Sequence, residues 1–213
     1  MDQMDMLTLG IIVANVLFSM RGFKDGSFFN KYKFQIGPIK DKDYIRMISS
    51  GFLHVDYMHL FFNMYTLYFF AYVVTMRMGR MEFLVIYFGS LLAGNLLSYL
   101  YHKNNNYYSA VGASGAVSGI LFASILLYPE MRLGIMFIPI PIPAYILGIG
   151  YLAYTVFGMK KQLGNIGHAA HLGGAVAGLL LAVVLEPSLL QTRTITFVLL
   201  MIPIAVLFVL GKK

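Results

Sequence analysis

Seven long apolar segments, separated by short clusters of charged or turn-forming residues, follow one another along the 213-residue chain. A membrane-spanning helix needs roughly 20 apolar residues, with about 17–25 usual, so each segment is predicted to cross a membrane as a helix. The predicted spans are Met6–Met20, Tyr57–Met76, Met81–Tyr101, Ala110–Tyr128, Pro143–Gly158, Asn165–Leu185 and Thr194–Leu210. Apolar residues that do not alternate with polar ones exclude a β-barrel. The pattern predicts an all-α, polytopic membrane helical bundle with a six-helix core and a seventh, C-terminal span.

The composition agrees with burial in lipid. Hydrophobic residues make up 59% of the chain and charged residues 12%, whereas soluble domains contain about 45–50% and about 25%. The absence of cysteine excludes disulfides, thiolate nucleophiles and zinc–thiolate sites.

Much of the net charge of +7 comes from basic residues between Arg21 and Arg46, which are mixed with Phe and Tyr. That mixture is typical of a membrane interface, so the loop Arg21–Asp56 is predicted to lie there, and nucleic acid is not expected as a partner. The N-terminus is acidic and unlike a secretory signal, so the first span is expected to remain as an anchor. Residues 1–213 are predicted to form one transmembrane domain.

Polar residues occur at one depth in spans two, four and six, which run in the same direction because they are even-numbered. Their first turns carry His59 and Asn63, Ser114, and His168 and His171 respectively. Polar side chains inside spans are costly and therefore mark function. At about 1.5 Å of rise per residue, all five lie in the same leaflet. We therefore predict one polar pocket.

Small residues predict which helices meet. Glycines four residues apart occur in span four and in span six, as Gly115-x-x-x-Gly119 and Gly174-x-x-x-Gly178. Such pairs let two membrane helices approach closely. Close approach would bring the Ser114 hydroxyl within hydrogen-bond reach of the His171 imidazole, which is the minimum arrangement for an activated serine.

Three motifs on alternate spans together resemble the rhomboid intramembrane serine proteases. They are Gly112-Ala113-Ser114-Gly115, His59-Leu60-Phe61-Phe62-Asn63 and Ala170-His171-Leu172-Gly173-Gly174, and the resemblance extends over about Arg46 to Leu185. It implies that Ser114 is the nucleophile and His171 the general base. It also implies an oxyanion hole formed by His59, Asn63 and the Ser114 N–H, with Gly112 in support. No acidic residue lies inside these spans, so the site is predicted to be a Ser–His dyad.

Two further side chains near the predicted site have open roles. His168 shares a face with His171 and is interpreted either as a group that supports the base or donates to substrate, or as a packing residue. Ser118 follows Ser114 by one turn, at a position where the family often has an aromatic ring stacked on the catalytic imidazole. With serine there, His171 is either held less tightly or oriented by a hydrogen bond from Ser118. His54 and Arg46 are predicted to fix the long loop against the bundle.

The expected function is intramembrane serine endopeptidase activity on transmembrane segments of single-pass proteins, with no cofactor or metal, in the plasma or inner membrane of a cell. A zinc or aspartate mechanism is excluded because there is no His-Glu-x-x-His motif and no Asp inside any span. Two alternatives stay open: an inactive rhomboid-like protein that binds membrane helices, and a His-lined transporter. The absolute topology also stays open, because the distribution of basic residues disagrees with the family's orientation.

Overall fold

The helices of the chain follow the apolar segments. The computed structural model describes residues 5–135, 138–164 and 166–210. In chain order its helices are α1 (Met6–Lys24), α2 (Gly26–Tyr32), α3 (Ile36–Lys40), α4 (Arg46–Ser49), α5 (Tyr57–Arg77), α6 (Arg80–His102), α7 (Ser114–Leu127), α8 (Ala144–Lys161), α9 (His168–Leu185), α10 (Leu189–Thr192) and α11 (Thr194–Leu210). By length and composition, α1, α6 and α9 can each cross a membrane, and α7 is a shorter apolar helix. The predicted helical membrane bundle is confirmed, and the number of seven crossings stays a prediction.

Two small antiparallel sheets add to the helices. Strand β1 (Phe34–Gln35) pairs with β2 (Ser109–Ala110), and β3 (Arg132–Ile135) pairs with β4 (Ile138–Pro143). Neither sheet was predicted. In β4 every other residue is proline, so N–H groups are missing along one edge of the strand only. The other edge keeps its N–H groups and can pair with β3.

The first helix is longer than predicted. The Asp5 carboxylate caps it by accepting a hydrogen bond of 3.1 Å from the Leu7 N–H. The helix then continues past the predicted end at Met20 to Lys24, because the long side chain of Arg21 reaches solvent without interrupting the backbone. The predicted loop therefore begins four residues too early.

The segment 25–56 is folded and not a simple loop. Its buried residues Phe34, Ile36 and Ile39 form a small core of their own, against which Tyr99 and Tyr108 pack. This core lies beside the C-terminal end of α6, so the segment is attached to the bundle by apolar contacts.

Arg46 ties the same segment together. Its guanidinium donates to the carbonyl oxygens of Asn30 at 2.8 Å and Lys33 at 2.9 Å, and its Nε lies 2.6 Å from the Asp43 carboxylate. Arg46 therefore has a structural role within the segment, whereas the predicted attachment of the loop to the bundle through Arg46 stays a prediction.

Helix α9 packs backbone to backbone against two neighbours. A Cβ atom on Gly174 would overlap the carbonyl of Gly115, and one on Gly178 would overlap the backbone of Gly119, so the predicted contact between α7 and α9 is confirmed. Helix α6 makes a second contact of this kind, since a Cβ on Gly94 would lie 2.5 Å from the Ala170 carbonyl oxygen. The contact with α6 was not predicted.

Ion pairs at the far end of the bundle show how the helices run. Arg77, at the end of α5, pairs with Glu186, which follows α9. Arg80, at the start of α6, lies with its Nε 2.5 Å from Asp5 Oδ1, just before α1. Helices α5 and α9 therefore end on the same side, as the parity of the spans predicted.

Helices α7 and α9 begin later than predicted. Helix α7 starts at Ser114 instead of Ala110, because Ala110 belongs to β2 and Gly112 has a φ of +131°, outside the helical region. Helix α9 starts at His168, and the predicted first residue, Asn165, lies outside the described residues. These shifts place Ser114 and His168 at the first position of their helices.

The last helix has the predicted bounds Thr194–Leu210 and packs on α8. Its Leu200 and Ile204 are buried. A Cβ on Gly148 of α8 would lie 3.0 Å from Leu200 Cδ2, so the two helices fit closely at that point.

Candidate active site

One cavity of about 880 Å³ is lined by six of the seven residues predicted for the site. The predicted residues that line it are Gly112, Ser114, Ser118, His59, Asn63 and His171. They come from the first two turns of α5, α7 and α9 and from the loop before α7. The predicted residues of spans two, four and six therefore share a cavity, while their common depth in a membrane and their chemical roles stay predictions.

The backbone before Ser114 is shaped by Gly112. Its φ of +131° is favourable only for glycine. A Cβ at this position would also lie 2.7 Å from His59 Cε1, which is too close for real carbon atoms, and 3.7 Å from Ser114 Oγ. Gly112 therefore allows both the turn that exposes Ser114 and the approach of the His59 ring to it.

His59 and Asn63 occupy adjacent turns of α5. The Asp56 carboxylate caps this helix by accepting a hydrogen bond of 2.7 Å from the His59 N–H. The Asn63 amide donates to the His59 carbonyl oxygen at 2.9 Å. Both side chains face the cavity, as their spacing of four residues predicted.

His171 lies in the first turn of α9, and its ring stacks on the Tyr151 ring of α8. The ring centroids are 6.1 Å apart with an angle of 22° between the planes. Within the described residues no direct hydrogen bond joins the Ser114 hydroxyl to the His171 ring, although both line the cavity. Contacts between catalytic groups often tighten only when substrate is bound.

In the described part of the chain Ser118 makes no hydrogen bond to His171. Its hydroxyl lies 3.1 Å from the Tyr151 hydroxyl, so a direct hydrogen bond to the base, one of the two predicted possibilities, is not what the structure contains. Sequence reasoning missed Tyr151, because nothing in the pattern of α8 distinguishes it from the other aromatic residues there.

His168 is not among the residues that line the cavity, and its predicted role as a residue that supports the base or binds substrate stays a prediction. Its Nε2 lies 3.1 Å from the Leu163 carbonyl oxygen, and its ring packs on Gly158 and contacts Tyr154 at 5.5 Å between centroids. At the start of α9 the two histidines, three residues apart, diverge enough that only His171 reaches the cavity. The alternative reading of His168 as a packing residue agrees with these contacts.

His54 connects α1 to the loop before Ser114. Ser19 donates to the Phe52 carbonyl oxygen at 3.1 Å, so His54 Nδ1–H is the donor in its 2.9 Å contact with Ser19 Oγ. His54 Nε2 is then free to accept from the Ala113 N–H at 3.4 Å. The predicted structural role of His54 is confirmed, and its bond to the residue preceding Ser114 was not foreseen.

The environment of His54 keeps its ring neutral. Burial lowers the pKa of His54 to about 3, the neighbouring His59 ring adds to the decrease, and Asp56 opposes it. The rings of His54 and His59 meet edge to face, with centroids 4.9 Å apart. A neutral His54 is the form that can accept from Ala113.

Candidate metal ligands do not cluster in this part of the molecule. Among the described residues, no group of three or more His, Asp or Glu side chains is close enough to hold a metal ion.

The comparison with known proteins identifies the family. Residues 41–188 match the family model described as Rhomboid domain. Because the match extends over more than half of the chain, this protein belongs to the rhomboid family, and it is a membrane protein.

Three relatives illustrate the similarity. RHOMBOID-like protein 12, mitochondrial, from Arabidopsis thaliana is 29% identical, over 79% of this chain and 55% of that protein. Rhomboid protein 1, mitochondrial, from Saccharomyces cerevisiae is 32% identical, over 65% and 42%. Presenilin-associated rhomboid-like protein, mitochondrial, from Homo sapiens is 33% identical, over 62% and 36%. The chain spans about half the length, or less, of the curated relatives that it matches. The names of all three relatives contain the word mitochondrial. The sequence predicted the plasma or inner membrane for this protein, and the compartment stays a prediction.

Proposed function

We propose that this protein is an intramembrane serine endopeptidase that cleaves transmembrane segments of single-pass membrane proteins. The observation that carries the proposal is the cavity in which Ser114 and His171 meet His59 and Asn63. These four residues come from the first two turns of helices that run in the same direction. Membership of the rhomboid family supports the same class of activity.

The reaction uses Ser114 as nucleophile and His171 as general base. As Ser114 Oγ bonds to the substrate carbonyl carbon, its proton passes to the neutral His171 ring. His171 then returns that proton to the leaving amine nitrogen, and the peptide C–N bond breaks. Water attacks the resulting ester with His171 again taking the proton, which releases the new carboxyl end and regenerates the Ser114 hydroxyl.

The negative charge on the carbonyl oxygen is stabilised by donors from α5 and α7. The Ser114 N–H is at the first helical position, where no partner is available within the helix. One N–H of the Asn63 amide donates to the His59 carbonyl oxygen, and the second N–H can donate to the substrate. The His59 ring lies against Gly112, close to the Ser114 hydroxyl. In a site poor in water such donors are worth about 2.7–4 kcal/mol each.

The substrate reaches Ser114 from the lipid bilayer through the side of the cavity between α5 and α8. Phe62 and Thr66 of α5 and Tyr151 of α8 line that side. A carbonyl in an intact helix is hydrogen-bonded and shielded, so the scissile segment is expected to contain Gly or another helix-weakening residue. By resemblance to the family, a small residue is expected before the cleaved bond. No cofactor or metal takes part.

The extent of the cavity favours a closed site over a transport path. Along α5 its lining stops at Thr66 and along α7 at Leu121, so it follows neither helix to the far end. An inactive protein that binds membrane helices would have the same cavity, and activity measurements distinguish the two.

The test compares native protein with Ser114→Ala and His171→Ala in detergent and in liposomes. A transmembrane reporter measures cleavage, and a fluorophosphonate probe measures covalent labelling of the serine. We expect both signals to fall to background in Ser114→Ala and by at least about 10³-fold in His171→Ala.

Ser124→Ala is the matched control for Ser114→Ala. Ser124 lies on the same helix, and its hydroxyl donates to the backbone carbonyls of Ile120 and Phe70, away from the cavity. This variant should label and cleave at the native rate. Equal cleavage by native protein and Ser114→Ala would overturn the nucleophile assignment, and a folded native protein that neither cleaves nor labels would favour the helix-binding alternative.

A further inference from the structure

Tyr151 contacts the proposed base from a helix that carries no other proposed catalytic group. Its ring stacks on His171 with centroids 6.1 Å apart and planes 22° from parallel, within the range of about 4.5–7 Å in which aromatic pairs attract. Tyr151 belongs to α8, whereas Ser114 and His171 belong to α7 and α9. The ring therefore joins a third helix to the pair.

The hydroxyl of Tyr151 is held by the helix that carries Ser114. Ser118 follows Ser114 by one turn, and its Oγ lies 3.1 Å from the Tyr151 hydroxyl oxygen. The Ser118 side chain is buried and Tyr151 is half-buried, so separating the two hydroxyls costs a hydrogen bond that water replaces only in part. The distance between the Tyr151 ring and α7 is therefore closely restrained.

A second residue of α7 restrains the body of the same ring. Phe122, one turn after Ser118, contacts the Tyr151 ring with centroids 5.8 Å apart at an angle of 45°. Ser118 and Phe122 thus hold Tyr151 at its hydroxyl and at its ring, and the same ring stacks on His171.

We propose that Tyr151 is the positioning residue of His171, with its ring limiting rotation of the imidazole and Ser118 fixing that ring through the hydroxyl. The proposal rests on the function proposed above. It explains why Ser118 can replace the aromatic residue expected after the nucleophile, since the ring is supplied by α8 and the serine provides its hydrogen-bond partner.

The Tyr151 ring contacts His171 and the Tyr151 hydroxyl contacts Ser118, so different substitutions can remove the two interactions separately. Tyr151→Leu removes the ring, Tyr151→Phe keeps it without the hydroxyl, and Ser118→Ala removes the partner. The matched control is Tyr154→Leu, one turn further along α8, because Tyr154 is 49% exposed and contacts His168 instead of His171.

The first measurement is the rate of fluorophosphonate labelling, which requires no bound substrate helix. We expect Tyr151→Leu to slow labelling about tenfold while Tyr154→Leu labels at the native rate. Tyr151→Phe and Ser118→Ala should each slow it by a smaller, equal factor, and the double variant should be no slower than either single one, because both remove the same hydrogen bond. Native labelling by folded Tyr151→Leu would overturn the proposal.

The second measurement is independent of hydrolysis. In protein labelled with ¹⁵N on its five histidines, the His171 ring signals are identified by their loss in His171→Gln. Tyr151→Leu should shift and broaden these signals, Tyr151→Phe should leave them sharp, and unchanged signals in Tyr151→Leu would contradict the positioning role. If native protein does not label at all, the proposed function fails, and the spectra still decide whether Tyr151 holds His171.

Discussion

At the end of the bundle where α5, α7 and α9 begin, polar groups are buried and bonded to one another, whereas at the opposite end charged groups are paired near the surface. The first end contains the contacts of His54 with Ser19 and Ala113. The second contains Arg77 with Glu186, whose side chains are 47% and 19% exposed. Buried groups lose their full hydration when a partner is removed, whereas exposed ions regain water. Substitutions at the two ends should therefore have very different effects.

The largest effect is expected where α9 meets α7. In Gly174→Val the new side chain would overlap the Gly115 carbonyl, and because backbone cannot move aside as a side chain can, the helices must separate. We expect the free energy of unfolding to fall by about 3 kcal/mol or more, together with loss of fluorophosphonate labelling. Reversible unfolding in mixed detergent measures the change.

The matched control is Gly150→Val on α8, where no atom lies within 4 Å of the added Cβ. This variant should unfold like the native protein. Native stability in Gly174→Val would show that the glycine contact is not what joins α7 and α9.

A second substitution affects the loop before Ser114. In Gly112→Ala the backbone must adopt a φ unfavourable for alanine, and the new methyl group meets the His59 ring. We expect labelling to slow by about 10²-fold, because His59 is displaced from its place beside Ser114. Stability should fall by only about 1–2 kcal/mol. Labelling at the native rate would contradict the role given to Gly112.

The buried side chain of His54 provides a pH-dependent effect on stability without a predicted loss of labelling. His54→Phe leaves the Ala113 N–H without an acceptor, so at neutral pH we expect a loss of about 1–3 kcal/mol of stability. In the native protein the pKa of His54 falls from 6.5 to about 3 on folding. The unfolded chain therefore binds more protons between these values, and native stability decreases as pH falls below 6.5.

His54→Phe lacks this component, so its unfolding free energy should vary less with pH over the same range, by up to about 1.4 kcal/mol per pH unit. Unfolding of both proteins at about pH 7 and about pH 5 measures the difference. Parallel pH dependence in the two proteins would show that His54 is not held neutral in the folded state.

The smallest effect is expected at the far end. Arg77→Ala breaks the pair with Glu186 where both groups are accessible to water or nearly so, so stability should change by less than about 1 kcal/mol. Labelling should be unchanged, because the pair lies beyond the cavity. A loss comparable to that of His54→Phe would remove the contrast between the two ends.

The sequence predicted the parts of the site that depend on local rules. Asn63 follows His59 by one helical turn, so a shared face needed only the helical period. The contact of Gly174 with Gly115 could be predicted because small residues in a membrane helix have few other uses. His168 and His171 show the limit of this reasoning, since both share an approximate face and only one reaches the cavity.

The sequence itself determined that the apolar segments form helices, that the polar residues share one cavity and that the glycines are in contact. Placing backbone and polar groups in hydrocarbon is costly, and this cost leaves few alternatives. The tertiary structure alone decided that Tyr151 lies on His171, that His168 turns to Leu163 and that His54 bonds to Ala113. Each of these depends on how far a helix is rotated about its axis and which neighbour it meets, and packing of the whole bundle sets both.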